Sequence, residues 1–398
     1  MRCLNRSQLR AALVEARQYT RALVDDLDDD QWRVPLLPIV NPFLWEVGHV
    51  GWFMEHWCLR WRGADRTPGP SILAHADRWY DSSRVAHDTR WSLDLPSRAA
   101  TLDYLDAVLA ATLDALERAD ETDAALYFFR LALYHEDMHG EAFAYMRHTL
   151  GYPAPANKWA ANKWGQTPFF EAAADVDVAG GEFEIGALPP GKGASGFVFD
   201  NEKWAHPHTL RPFRIAARPV SNGEYLRFVE DGGYARTDLW SGAGKAWLDA
   251  TRRGGPRDWR KDERTDGSWL ERHYDAWQPL MPQYPVQHVA AFEAEAYCAW
   301  AGRRLPTEAE WEAAALATAI VPAGVWEWTA SPFVPYPGFS ADPYADYSAP
   351  WFHTHRVLRG ASFATPARIV HPKFRNFYLP GRDDVFVGFR TCAVQSPL

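Results

Sequence analysis

Residues 122–150 read TDAALYFFRLALYHEDMHGEAFAYMRHTL, a long stretch of helical spacing that Gly151 and Pro153 bring to a stop. Inside it stand His135-Glu136-Asp137-Met138-His139. Two histidines four apart project from one helical face about one turn from each other, which suits a single metal ion. An isolated H-x-x-x-H is a weak signal, and its surroundings decide its weight. His49 sits in a second helical stretch among Trp45, Val47, Val50 and Trp52, an apolar setting in which an imidazole needs a specific partner. Helix bundles take metal ligands from facing helices, so His49, His135 and His139 together would form a three-histidine face with open positions for substrates. His56, one heptad beyond His49, competes for the third place, and a core histidine bonded to a backbone carbonyl is the plainer account of His49. Glu141 is the expected acceptor for a ligand N–H. The same five residues match H-E-x-x-H of zinc proteases, but Gly151, Tyr152, Pro153 and Ala154 supply no further ligand, so that reading fares badly.

Working outward, Ser7 is placed to cap Gln8–Leu27, where Leu9, Leu13, Ala16, Tyr19, Leu23 and Leu27 recur at helical spacing. Asn41-Pro42 opens the helix that carries His49 and runs toward Arg62, and a third spans Ser97 to Arg118. Four long helices imply a four-helix bundle. After the connector Asn157 to Gln166 the grammar changes to short strands and turns, beginning at Gly180-Gly181-Glu182-Phe183-Glu184-Ile185-Gly186. Helices are expected at Ser221–Val229, at Ala291–Ala301 and after Thr307, which caps with Glu310 at the third position. Residues 232–282 are polar and irregular and read as an elaborated surface loop. The fold class is therefore α+β in two domains, 1–165 helical and 166–398 rich in strands and loops.

Composition narrows the function. With 398 residues, 47% hydrophobic and 23% charged, the chain has material for two separate cores. Its 42 Lys and Arg stand against 51 Asp and Glu, so no excess of cations exists to neutralise a phosphate backbone, and nucleic acid is not an expected partner. Met1 to Arg10 lacks the apolar core of a signal peptide and no uninterrupted apolar run reaches about 18 residues, so a cytoplasmic protein with no membrane partner is expected. Cys3, Cys58, Cys298 and Cys392 lie far apart without a C-x-x-C pair and read as reduced structural thiols. The 20 Trp, 16 Tyr and 21 Phe exceed ordinary usage and supply both core and rings for a quaternary ammonium ligand.

Six stretches of the second half, Gly180-Gly181-Glu182-Phe183, Asp200-Asn201-Glu202, 303–312 (RRLPTEAEWE), 325–329 (VWEWT), 358–363 (LRGASF) and Val387-Gly388-Phe389-Arg390, together resemble the formylglycine-generating enzyme (sulfatase-modifying factor) fold, a variant of the C-type lectin fold. Those enzymes use a pair of cysteines after the R-G-[GA]-S stretch, and residues 364–378 contain none, which argues against that activity. A DinB-like helical bundle carrying H…H-x-x-x-H-x-E ahead of this domain resembles the ergothioneine sulfoxide synthases over nearly the whole chain. The resemblance implies Fe(II) on His49, His135 and His139, with hercynine, a thiolate or selenolate donor and O₂ as reactants. It implies that Tyr336, after the W-E-W-T motif, is the catalytic tyrosine that donates a proton or hydrogen atom to the oxygen chemistry. It also places Asn376 at hercynine, with the neighbouring rings Phe377 and Tyr378 suiting the trimethylammonium group.

The departures bear on the donor. Relatives that use γ-glutamylcysteine carry an arginine-rich stretch here, since carboxylates call for charge-assisted forks. Residues 80–91 read YDSSRVAHDTRW, with Arg84 and Arg90, the acid Asp88, and Trp91 for stacking, which suit a polyhydroxylated ligand at least as well as a dicarboxylate. Met138 stands where a polar residue would contact hercynine. These features resemble the selenoneine synthase branch, whose donor is a selenosugar; an ergothioneine synthase taking cysteine or γ-glutamylcysteine is the alternative. A carbohydrate-binding module without chemistry is a third reading, in which convergent buried histidines would have no purpose.

Overall fold

The computed structural model describes residues 4–64, 66–155, 174–189, 196–265 and 267–394 and divides them into two compact units. The helical unit takes in 4–155 together with Gly196, Phe197 and Thr365–Ile369; the β-rich unit takes in the rest. The connector Asn157 to Gln166 and the expected boundary at 165/166 lie outside the described residues. No helix among the described residues is long and apolar enough to cross a membrane.

The helical unit contains α1 (Arg6–Val24), α2 (Asp29–Arg33), α3 (Phe43–Glu55), α4 (Ala76–Tyr80), α5 (Arg98–Glu117) and α6 (Asp123–Thr149), and the four long helices pack as a bundle. Asn5, rather than Ser7, caps α1: its side chain accepts from Gln8 N at 2.9 Å while Gln8 returns the bond to Asn5 N at 3.1 Å. Thr122 caps α6 by accepting from Ala125 N. Pro42 precedes α3 without a side-chain cap, which leaves the Asn41 amide for another task. Nearly every side chain of α3 is buried, as expected of a helix apolar on all faces. A single π-helical turn, His56–Arg60, extends it and closes with Trp61 N on His56 O at 2.8 Å.

Two buried ion pairs fix α6. Arg17 on α1 makes a fork on Glu136 at 2.8 and 3.1 Å, joined by Thr20 Oγ1 at 3.0 Å. Arg368, from the segment 365–369, donates to Asp137 at 2.8 Å and to Glu15 at 2.8 Å. Burial pushes the Asp137 carboxyl up to about 7 although Arg368 pulls it down. Glycines let two neighbours come close. A Cβ on Gly140 would lie 2.9 Å from the Tyr19 ring, and one on Gly48 would lie 2.2 Å from the Tyr80 ring.

The β-rich unit runs β1 (Asp175–Val178), β2 (Gly181–Ile185), β3 (His206–Leu210), β4 (Phe213–Ala216), α7 (Asn222–Glu230), α8 (Gly242–Thr251), β5 (Trp259–Lys261), β6 (Trp269–His273), β7 (Ala276–Pro279), α9 (Ala291–Trp300), β8 (Arg303–Arg304), α10 (Glu308–Leu316), β9 (Trp326–Pro332), β10 (Arg356–Gly360), β11 (Asn376–Tyr378), β12 (Val387–Phe389) and β13 (Cys392–Ala393). Its sheets have the orders β1-β4-β13-β8, β11-β10-β9-β12, β2-β3 and β5-β6-β7. The expected surface loop 232–282 is thus partly regular: it holds α8, capped by Ser241, and the antiparallel sheet β5-β6-β7. Charged and aromatic residues mixed on short strands concealed the alternation.

Glu293 gives this unit a pH signature. It accepts from Ala290 N at 2.6 Å at the start of α9 and from the Tyr234 hydroxyl, and burial pushes its carboxyl up to about 8. A carboxyl raised in the folded state contributes stability below its unfolded value, 4.5, and loses that contribution as pH rises through 8. Glu293→Gln is therefore expected to flatten the fall in Tm between pH 5 and 9; parallel melting curves for the two proteins would refute this.

Candidate metal centre

His49 projects from the middle of α3, and His135 and His139 from α6. One ring nitrogen from each lies within 4.8 Å of the other two. The Nε2 atoms of His135 and His139 stand 3.2 Å apart. With metal–nitrogen bonds of about 2.1 Å, two ligands at roughly right angles would be separated by about 3.0 Å, so this pair fits neighbouring positions on one ion. His56, the competing ligand, is outside the group: it heads the π turn and lines a cavity of about 510 Å³ with Trp52, Asp77 and Asp81.

The supports of the ligands explain the orientation of the rings. His49 Nδ1 donates to the Tyr80 carbonyl at 2.8 Å, which fixes its tautomer and leaves Nε2 for a metal. The close approach at Gly48 is what brings Tyr80 against α3. His139 Nδ1 donates to Glu46 Oε1 at 2.7 Å, with the same consequence. Trp45 stacks on His49 at 5.0 Å and 7°, and Phe53 stacks on His135 at 3.5 Å and 4°. Burial first, and then the neighbouring imidazoles, hold His49 and His135 well below the usual histidine range, so both are neutral at pH 7 and present lone pairs. Convergent imidazoles, with His49 and His139 ordered through Nδ1, can hold a divalent transition ion and leave positions for small ligands.

Glu46, not Glu141, is the carboxylate on His139; Glu141 accepts from Thr365 Oγ1 at 2.8 Å. A signal for Glu46 was present, since a carboxylate one turn before His49 in an otherwise apolar helix requires a buried partner. The α6 spacing drew attention to Glu141 instead.

The candidate donor segment is divided. Arg84 is 79% exposed, pairs with Asp81 and lines the 510 Å³ cavity. Arg90 and Trp91 line a separate cavity of about 550 Å³ with Trp32, Val34, Leu93 and Arg98. Trp91 donates to Val34 O at 2.9 Å, and Asp88 is exposed and lines neither cavity. Met138 is half-buried on α6.

Within the β-rich unit, Tyr336 is buried, accepts from Arg359 at 3.0 Å, donates to Glu308 at 3.3 Å and lies under the Arg375 guanidinium at 3.9 Å. Burial pushes its phenol up from the usual range. Asn376, Phe377 and Tyr378 form β11, whose two-residue period puts Phe377 on the opposite face from the other two. Phe377 stacks on Phe333 at 4.1 Å, and the Asn376 carbamoyl oxygen accepts from Phe377 N at 2.8 Å.

Comparison with known proteins accounts for both units. Residues 12–143 match the DinB superfamily, and residues 160–320 and 323–395 match the sulfatase-modifying factor enzyme 1-like domain. A hercynine oxygenase of Mycolicibacterium thermoresistibile is 34% identical over 97% of this chain and 94% of its own. Another, from Mycobacterium tuberculosis, is 36% identical over 96% of this chain and 98% of its own. Ergothioneine biosynthesis protein 1 of Schizosaccharomyces pombe is 23% identical over 92% of this chain and 53% of its own. With two successive domains and near-complete coverage in agreement, the chain belongs to the hercynine oxygenase family and is an oxidoreductase.

Proposed function

We propose that the chain binds Fe(II) on His49, His135 and His139 and uses O₂ to join a sulfur or selenium donor to the imidazole carbon of hercynine. The observation that carries this reading is the cluster of three convergent histidines, two of them with Nδ1–H fixed by an acceptor, in a chain related over 97% of its length to a hercynine oxygenase. Fe(II) would supply the open positions at which O₂ and the chalcogen meet. Tyr80 O and Glu46 keep the imidazole protons on Nδ1, and the stacked Trp45 and Phe53 hold the rings against rotation. Asn376 and Tyr378, on one face of β11, are proposed to contact hercynine, with Phe377 backing the strand through its stack on Phe333 and Met138 facing the ligand.

For the donor, the proposal is a selenosugar. The support is chemical: both terminal nitrogens of Arg90 already bond Asn41 and Val85 O, and Arg84, which meets Asp81 through Nε, leaves at most one fork where a dicarboxylate calls for two. Asp88 and Trp91 suit hydroxyls and a sugar face. The names of the relatives support the alternative, in which cysteine or γ-glutamylcysteine is joined to hercynine. Anaerobic Fe(II) loading followed by O₂, hercynine and each donor, with products read by mass spectrometry, decides between them. Faster turnover of the selenosugar is expected, and preferential turnover of either thiol would overturn the donor assignment.

Tyr336 is proposed as the proton donor at its Oη. General acids typically contribute about 10²–10⁴-fold. Tyr336→Phe is thus expected to leave Fe(II) affinity unchanged and to slow or divert turnover. An unchanged rate with a lowered Tm would confine the hydroxyl to its bonds with Glu308 and Arg359.

A further inference from the structure

Arg90 lies in a short 3₁₀ turn, His87–Trp91, far from α6 in sequence, yet hydrogen bonds and stacking connect it to two of the three histidines. Along one route, Arg90 Nη1 donates to Asn41 Oδ1 at 2.7 Å, Asn41 Nδ2 donates to Glu46 Oε2 at 2.9 Å, and Glu46 Oε1 accepts from His139 Nδ1 at 2.7 Å. Along the other, the guanidinium lies 3.7 Å above the Trp45 ring, whose plane stacks on His49. Arg90 Nη2 donates to Val85 O at 3.2 Å and anchors the group.

We propose that Arg90 is a positioning residue of the metal centre, which orients His139 through Asn41 and Glu46 and holds His49 in place through Trp45. The proposal rests on the reading that the three histidines hold the metal. The physical argument begins at Asn41. A primary amide has one accepting and one donating end; the Glu46 carboxylate draws Nδ2, and a donor on Oδ1 completes the pair and holds the amide in place. Arginine has no acceptor, so it reinforces the orientation that Glu46 imposes from the other end and pins Oδ1 against swinging away. Glu46, with Oε2 occupied by Asn41, then presents Oε1 to the His139 proton. Without Arg90 the Asn41 Oδ1 loses its donor, the amide is free to swing away from Glu46, and the Trp45 face loses its cover. Since Arg90 also lines the 550 Å³ cavity, the chain of contacts runs from that cavity wall to the ligands.

Co(II) titration of the metal-free chain, followed by its visible d–d bands, tests this without turnover. Partners that orient a ligand typically contribute about 10–100-fold in metal affinity. Arg90→Ala and Asn41→Ala are each expected to weaken Co(II) binding about tenfold and to shift the bands, and the double variant to bind no more weakly than Arg90→Ala, because both act in one chain. If Arg90→Ala fails to fold, Asn41→Ala breaks the same relay with the arginine in place. Arg147→Met serves as control, since this buried arginine ties α6 to Leu23 O and Asp26 without touching the relay. Unchanged affinity and bands in Asn41→Ala and Arg90→Ala, additive losses in the double variant, or an equal loss in Arg147→Met would overturn the proposal. Equal Co(II) binding by the wild-type chain and His135→Ala would instead sink the three-histidine reading on which it rests.

Discussion

Alanine at His49, His135 or His139, one at a time, will lower Fe(II) affinity by more than about 100-fold, because losing a group that merely orients a ligand already costs about 10–100-fold. Each substitution removes one ring nitrogen from a cluster in which, among the described residues, no other histidine stands by as substitute. His56 lines the 510 Å³ cavity, so His56→Ala should keep full affinity. Anaerobic Fe(II) titration checks both statements, with far-UV circular dichroism confirming that the bundle persists. Full occupancy in His49→Ala would move the third ligand elsewhere.

In the β-rich unit, Glu308→Ala will cost about 3–5 kcal/mol of stability, the usual consequence of stripping one partner from a buried charge cluster. Glu308 Oε2 accepts from Arg375 at 2.9 Å and from Arg359 at 3.0 Å, and both guanidiniums are wholly buried. Glu312, at 3.0 Å from Arg359 and from Lys373, cannot neutralise all three cations once Glu308 is gone. Burial acts to raise the Glu308 carboxyl, but the two guanidiniums outweigh it and hold the group below its ordinary 4.5. A carboxyl lowered in the folded state contributes above its unfolded value and loses that contribution in acid. The gap between wild type and Glu308→Ala should therefore narrow as pH falls below 4.5. Urea denaturation at pH 7 and pH 4 measures both values, and a constant gap would contradict the argument.

What the sequence revealed depended on the range of the interaction. Helix periodicity and caps are local, so the four long helices were legible to within a few residues, as was the Thr307–Glu310 box opening α10. The spacing of His135 and His139 is a local property too. Asn41 showed the limit of this reading: a residue suited to capping α3 instead sends its amide to Glu46 and Arg90, and only tertiary structure makes that choice. The backbone carbonyl of Tyr80 leaves no mark in a sequence, although a glycine at position 48, mid-helix, was a trace of the close approach that puts it there. The sheet β5-β6-β7 escaped notice because its strands are short and its side chains mixed, so no two-residue alternation stood out.

Arg368, 231 positions after Asp137, sets an order of events in the life of the chain. Translation delivers α1 to α6 early, and N-terminal domains generally begin to fold while synthesis continues. Asp137 stays without its guanidinium until residues 365–369 have been made. The helix that carries two of the histidines thus completes this ion pair more than two hundred residues after its own synthesis, and a chain released before that point would keep the Asp137 carboxyl without the Arg368 cation.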